Sequence, residues 1–172
     1  IDIEAATKNG VIIINTPGRN ADAVADLTVT FMVMLARNVI PAAESLREGL
    51  WEKNGRRWAY VTYQGYDLPG KTVGLMGLGH IGRLVAKRLA GYDVNLIGYD
   101  PFVDQETAQA FNVTLLERDE VFSQSDFLSL HIPLNEKTEG MIGESDLKKM
   151  KQTAYLVNTA RAGVVKESAL FK

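Results

Sequence analysis

Apolar positions change their rhythm along this chain. An apolar β-branched run at residues 11–14, bounded by Gly10 and by Asn15-Thr16-Pro17-Gly18, predicts a short buried strand. Asn20 then stands where a helix N-cap belongs, with Asp22 and Asp26 near the start of a helix running to about Arg37. Val24, Leu27, Phe31 and Leu35 form one apolar face of it, and Ala21, Ala25, Val29, Met32 and Ala36 form another. Two such faces call for two partners, one on the helix's own domain and one elsewhere. The uncharged stretch from Leu27 to Ala36 is well short of the roughly 20 residues that a membrane span requires. Pro41 interrupts the pattern, and a second helical stretch covers about residues 42–50. Residues 51–66 carry Arg56, Arg57, Trp58, Tyr60, Tyr63 and Tyr66 close together, which predicts an extended arm packed on a partner subunit.

From Leu68 onward short apolar runs alternate with helical stretches. Strands are expected at residues 72–76, 94–99, 113–115, 127–131 and 154–158. Helices are expected at about 81–90, 105–111, 118–123 and 145–149. Helical crossovers without hairpin signals predict an α/β fold, a doubly wound parallel sheet.

Composition narrows the chemistry. The chain has 172 residues, 46% hydrophobic and 23% charged, as in an ordinary soluble domain, and an intracellular, cytoplasmic setting is expected. With 19 basic against 21 acidic residues the net charge is −2, which offers no excess for nucleic acid phosphates or an anionic membrane. There is no cysteine and there are two histidines, so a metal site is not expected. The start at Ile1 without Met, and a close that reads as the first turns of a helix, suggest the middle of a longer protein.

The sharpest motif is Gly77-Leu78-Gly79-His80-Ile81-Gly82, directly after a predicted strand and opening a predicted helix. Gly77 permits the strand-to-helix turn, Gly79 admits a pyrophosphate close to the backbone, and Gly82 lets helix and strand pack tightly. The free N–H groups at the helix start suit the phosphates. His80 reads either as a phosphate ligand or as a plain loop residue. The next strand ends at Asp100, whose carboxylate suits the two adenosine ribose hydroxyls and repels a 2′-phosphate. Pro101-Phe102-Val103-Asp104 supplies no cation to welcome that phosphate, so NAD is preferred over NADP.

Together with Ala5-Ala6-Thr7, Asn15-Thr16-Pro17-Gly18, Ala23-Val24-Ala25-Asp26, His131-Ile132-Pro133-Leu134, Thr138 and Asn158-Thr159-Ala160-Arg161, the motif makes the chain resemble the D-isomer-specific 2-hydroxyacid dehydrogenases. Arg47-Glu48-Gly49 with Trp51, and Gly65-Tyr66-Asp67-Leu68, resemble the phosphoglycerate-specific members most. The resemblance implies a nucleotide-binding domain inserted into a substrate domain. Residues 1–15 would end the first substrate-domain segment and residues 16–172 would form the NAD-binding domain, truncated at its C-terminal end. It also implies a homodimer through the helix after Asn20.

The same resemblance makes Arg161 the catalytic arginine, with Thr159 and Ala160 along the cofactor. His131, Ile132 and Pro133 would line the nicotinamide-ribose side, and Thr138 would contact the loop there. The acid/base histidine and its glutamate are expected beyond Lys172, which leaves His131 a structural and cofactor-loop residue and the 172-residue chain without turnover. Ala162 where glycine is commonest, and Lys166 where an acid is usual, depart from the family pattern. The substrate expected is a D-2-hydroxy acid, 3-phosphoglycerate first and lactate- or glyoxylate-type acids behind it. Two other functions remain open: a dehydrogenase-like NAD(H) sensor resembling the family's corepressors, and a dimerisation core with a vestigial cofactor site.

Overall fold

The five apolar runs predicted after Leu68 pair into one all-parallel sheet. The computed structural model describes residues 1–171; Lys172, at the close of the expected final helix, and the Arg56 side chain lie outside the described residues. The strands are β1 (Thr72–Met76), β2 (Asn95–Tyr99), β3 (Thr114–Leu115), β4 (Phe127–Leu130) and β5 (Tyr155–Asn158), in the spatial order β3-β2-β1-β4-β5. Central β1 pairs with both neighbours, Val73 lying opposite Leu96 on one side and Phe127 on the other. The chain winds outward from β1 in one direction and then in the other, so a crevice opens at the carboxyl ends of β1 and β4.

Both faces of the sheet are covered, which explains why the strands read as continuous apolar runs. Successive side chains alternate between two cores. Val73, Leu75 and Phe127 join Met32 and Leu89 on one face; Met76, Leu128 and Leu130 join Phe122 and Ile142 on the other. The crossovers carry α6 (His80–Leu89), α7 (Gln105–Gln109), α8 (Arg118–Gln124) and α9 (Glu144–Leu147). α8 begins in a capping box, Glu117 bonding the third helical amide while Glu120 reaches back to the Glu117 N–H.

Among the described residues five further helices precede the sheet: α1 (Ile3–Lys8), α2 (Ala21–Ala36), α3 (Val39–Arg47), α4 (Leu50–Asn54) and α5 (Arg56–Thr62). α2 begins at Asn20 as expected, although the Asn20 side chain makes no cap bond. Its Ala25, Val29, Met32 and Ala36 are buried, whereas Leu27 and Phe31 on the other face are 46% and 37% exposed. Arg88 of α6 pins α2 by ion pairs to Asp22 and Asp26. The Arg88 guanidinium holds the Asp22 carboxyl below its ordinary value. α2 and α3 meet the apolarity of a membrane span only when joined across a 68° bend; no single helix among the described residues is long and apolar enough.

Four local expectations are corrected. Residues 11–14 form no strand and lie exposed, Ile12 at 85%, because no strand among the described residues pairs with them. Pro41 lies inside the first turn of α3, where its missing N–H costs nothing, rather than before the helix. The segment from Trp51 is no extended arm: Gly49 (φ 72°) and Gly55 (φ 83°) punctuate it into two short helices. Its aromatic groups find local partners, Trp51 Nε1 donating to the buried Ser45 hydroxyl at 2.8 Å and Trp58 meeting Tyr63 edge to face. After Lys166 there is one 3₁₀ turn, Glu167–Ala169, in place of an α-helix.

Candidate cofactor site

The glycine loop leaves the end of β1, and its three glycines differ in what surrounds them. Gly77 has φ +97°, and a Cβ there would stand 2.9 Å from the His131 carbonyl oxygen. A Cβ on Gly82 would stand 2.2 Å from the Gly77 carbonyl oxygen, so the loop folds directly onto α6. Around Gly79 a Cβ would meet nothing within 4 Å. This open glycine is also the N-cap of α6 and offers no side chain to the helix start, leaving the first-turn N–H groups to an outside acceptor.

Two lobes of one crevice meet over Gly79. The first, about 570 Å³, is walled by His80 and Ile81 of α6, by His131, Ile132 and Pro133 after β4, and by Thr159, Ala160 and Arg161 after β5. The second, about 310 Å³, contains Gly77 and Asp100 and shares Gly79, His131, Ile132 and Pro133 with the first. Gly82 lines neither lobe and acts from beneath, through packing. Thr138 lines the second lobe rather than the first. Its hydroxyl donates to the Pro133 carbonyl at 2.6 Å and accepts from the Asn135 N–H at 2.8 Å, tying the loop after β4 into a fixed turn.

Asp100 does more than the sequence suggests. Its Oδ2 accepts from the Leu78 N–H at 2.8 Å and its Oδ1 from the Phe102 N–H at 2.9 Å, so the carboxylate ties the end of β2 to the glycine loop. Each oxygen keeps a further lone pair for a ribose hydroxyl. His131 is held by its neighbours as well: its N–H donates to the Met76 carbonyl, and its Nε2 lies 3.0 Å from the buried Ser129 hydroxyl. Burial pushes the His131 imidazole down to about 4, so the ring is neutral at pH 7.

After β5 the Asn158 side chain brackets the turn, its Oδ1 accepting from the Ala160 N–H and its Nδ2 donating to the Arg161 carbonyl, both at 3.0 Å. Arg161 is exposed and donates from Nη1 to the Ala160 carbonyl at 2.8 Å. Among the described residues it makes no ion pair, so its charge is available to an anion in the first lobe. No group of His, Asp and Glu among the described residues could hold a metal ion.

Several lining residues were not among the expected site residues. Pro17, Gly18 and Val24 close the first lobe from the α2 side, with Gly18 (φ +77°) beneath the His80 ring. Arg118 and Met141 reach the second lobe from segments far along the chain. Arg118 donates to Asp146 at 2.7 Å and to the Met141 carbonyl at 3.0 Å, while its guanidinium lies over the Phe122 ring. Burial works to raise the Asp146 carboxyl, but the Arg118 hydrogen bond holds it below its ordinary value. No local motif marks such contacts; only the fold brings them to the crevice.

Comparison with known proteins gives the site a family. Residues 29–172 match the model of the D-isomer specific 2-hydroxyacid dehydrogenase, NAD binding domain. The chain is 40% identical over 173 residues to a D-3-phosphoglycerate dehydrogenase of Methanocaldococcus jannaschii, covering 100% of this chain and 32% of that protein. It is 41% identical over 172 residues to a glyoxylate reductase of Thermococcus litoralis, covering 100% of this chain and 52% of that protein. The apo-structure of D-lactate dehydrogenase from Escherichia coli superposes with a TM-score of 0.88 at 27% identity, over 99% of this chain and 52% of that one. The chain thus spans about a third to a half of the relatives it matches. An open Gly79 at a helix start, an acid ending the second strand and this match over most of the sequence agree: the chain belongs to the D-isomer specific 2-hydroxyacid dehydrogenase family and carries its NAD-binding domain.

Proposed function

We propose that the protein bearing this chain is an NAD-dependent oxidoreductase that interconverts D-2-hydroxy acids and 2-oxo acids, with 3-phosphoglycerate its first candidate substrate and glyoxylate its second. The observation that carries this reading is the two-lobed crevice, joined over Gly79, with Asp100 in one lobe and the unpaired Arg161 in the other. Relatives named for phosphoglycerate and for glyoxylate match at 40% and 41% identity, which supports the acid class, while the order rests on the resemblance of Arg47-Glu48-Gly49 and Gly65-Tyr66-Asp67-Leu68 to the phosphoglycerate-specific members.

Bound NAD supplies a hydride acceptor at the nicotinamide ring. The chain's own residues bind and orient. The first-turn amides of α6, at His80 and Ile81, would hold the pyrophosphate. Asp100 accepts from the adenosine ribose and disfavours a 2′-phosphate. Ile132, Pro133, Thr159 and Ala160 wall the nicotinamide end. Arg161 offers a planar, permanently charged donor fork to the substrate carboxylate and to the C2 oxygen, where negative charge develops during transfer. A neutral His131 that titrates near 4 is a poor proton donor at pH 7, and its place beside Ser129 suits a structural role.

The remaining parts of the reading concern setting. Residues 1–15 belong to a substrate domain and residues 16–172 to the NAD-binding domain, two copies meet through α2, and a cysteine-free NAD-dependent protein suits the cytoplasm. The test is a screen of D-3-phosphoglycerate, D-lactate and glyoxylate with the protein bearing this chain, beside its Arg161→Gln variant. Turnover of one acid is expected, with kcat/KM falling at least about a hundredfold in the variant and NADH affinity unchanged within about threefold. Full activity in Arg161→Gln, or no turnover of any 2-hydroxy or 2-oxo acid, contradicts the reading.

A further inference from the structure

A hydroxyl pair joins α2 to the segment that carries Arg161. Thr28 is completely buried in the middle of α2, and its Oγ1 lies 2.7 Å from the Oγ1 of Thr159. The same Thr28 oxygen lies 2.8 Å from the Val24 carbonyl oxygen and donates to it. A carbonyl can only accept, and a hydroxyl has a single hydrogen. That hydrogen of Thr28 is therefore spent on Val24, and the hydrogen between the two threonines must come from Thr159.

The direction of this relay matters for the first lobe, because Thr159 lines it. With its hydrogen turned inward, Thr159 Oγ1 meets any ligand there as an acceptor only. The nicotinamide half of the dinucleotide carries donors that such an acceptor can take, the carboxamide NH₂ and two ribose hydroxyls. The bond also bears on the segment's place. Asn158 braces the turn from within, through Ala160 and Arg161, but the Thr159 side chain is the point at which the turn is hydrogen-bonded to α2.

Resting on the dinucleotide reading above, we propose that Thr28 is a positioning residue for the nicotinamide half of the cofactor. It holds Thr159 against α2 and fixes the Thr159 hydroxyl as an acceptor facing that half. Thr28 itself touches no ligand; it lies beneath the wall, fully enclosed. The adenosine half depends on Gly79 and Asp100 in the second lobe and makes no use of this relay.

That division gives the test. NADH and ADP-ribose share the adenosine and pyrophosphate, and only NADH has the nicotinamide. Calorimetric titration of both ligands into the protein bearing this chain, its Thr28→Val variant and its Thr28→Ser variant reads the two halves separately. In Thr28→Val the ADP-ribose Kd should stay within about twofold of the parent and the NADH Kd should rise about tenfold, the size expected for losing one oriented hydrogen bond. Thr28→Ser retains the relay and should restore the NADH Kd to within about threefold. If Thr28→Val fails to fold, Thr159→Val removes the same bond from the exposed side and should show the same selective loss. Unchanged NADH binding in the folded Val variants overturns the proposal, as does parallel weakening of both ligands. A parent chain that binds ADP-ribose and NADH equally well also overturns it. A parent that binds neither sinks the dinucleotide reading as well.

Discussion

Gly79 and Gly82 stand three positions apart in one loop, yet a methyl group does opposite things at each. At Gly82 it collides with the Gly77 carbonyl, a backbone atom with nowhere to move; at Gly79 it enters open space. Gly82→Ala should therefore lower stability by about 1–3 kcal/mol in a thermal melt. Gly79→Ala should melt within about 1 kcal/mol of the parent but bind NADH at least about tenfold more weakly, because the added carbon fills the space a pyrophosphate needs. The reverse pattern would reverse the roles given to the two glycines. The open and the crowded surroundings of the two glycines were legible in the sequence because they depend on the backbone of one contiguous segment. The Asp100 bond to Leu78 and the arrival of Arg118 were not, since each joins residues from separate elements. The Thr28–Thr159 relay was invisible for the same reason, its partners lying 131 positions apart.

α2 behaves as a strut with two different sides. One side is buried on α6 and β5, and the other leaves Leu27 and Phe31 partly open to solvent. Val39 and Ile40, at the start of α3, are likewise 42% and 49% exposed. A second copy of the chain would remove this apolar surface from water. Phe31→Glu should accordingly shift the protein bearing this chain toward monomer in analytical ultracentrifugation while leaving its secondary structure by circular dichroism unchanged. A parent that sediments as a monomer at micromolar concentration would contradict the dimer. The spacing of apolar residues revealed both faces of α2, and continuous apolar runs revealed all five strands. It misled at residues 11–14, where β-branched composition describes what a segment could pair with, and pairing needs a neighbour. It misled again after Trp51, where aromatic residues suggested an extended arm and two glycines at positive φ decided for helices.

For the molecule as a whole, near-neutral charge and the absence of cysteine argued against a nucleic-acid surface and thiolate chemistry, and the glycine loop pointed to a bound dinucleotide. The sheet order puts the carboxyl ends of β1, β2, β4 and β5 around a single crevice, so residues scattered from Pro17 to Arg161 line it together. Fold and cofactor were legible because the glycine loop and the alternation of strands and helices are local patterns repeated along the chain. The depth of the crevice and the neutrality of His131 come from burial, which no local pattern records. The dinucleotide crevice itself is tested most directly by calorimetric titration of NADH and NADPH into the protein bearing this chain and its Asp100→Ala variant. NADH should bind the parent at least about tenfold more tightly than NADPH, and the variant should lose most of that preference by weakening NADH. Equal NADH affinity in parent and variant, or tighter binding of NADPH by the parent, would contradict the placement of the adenosine ribose at Asp100.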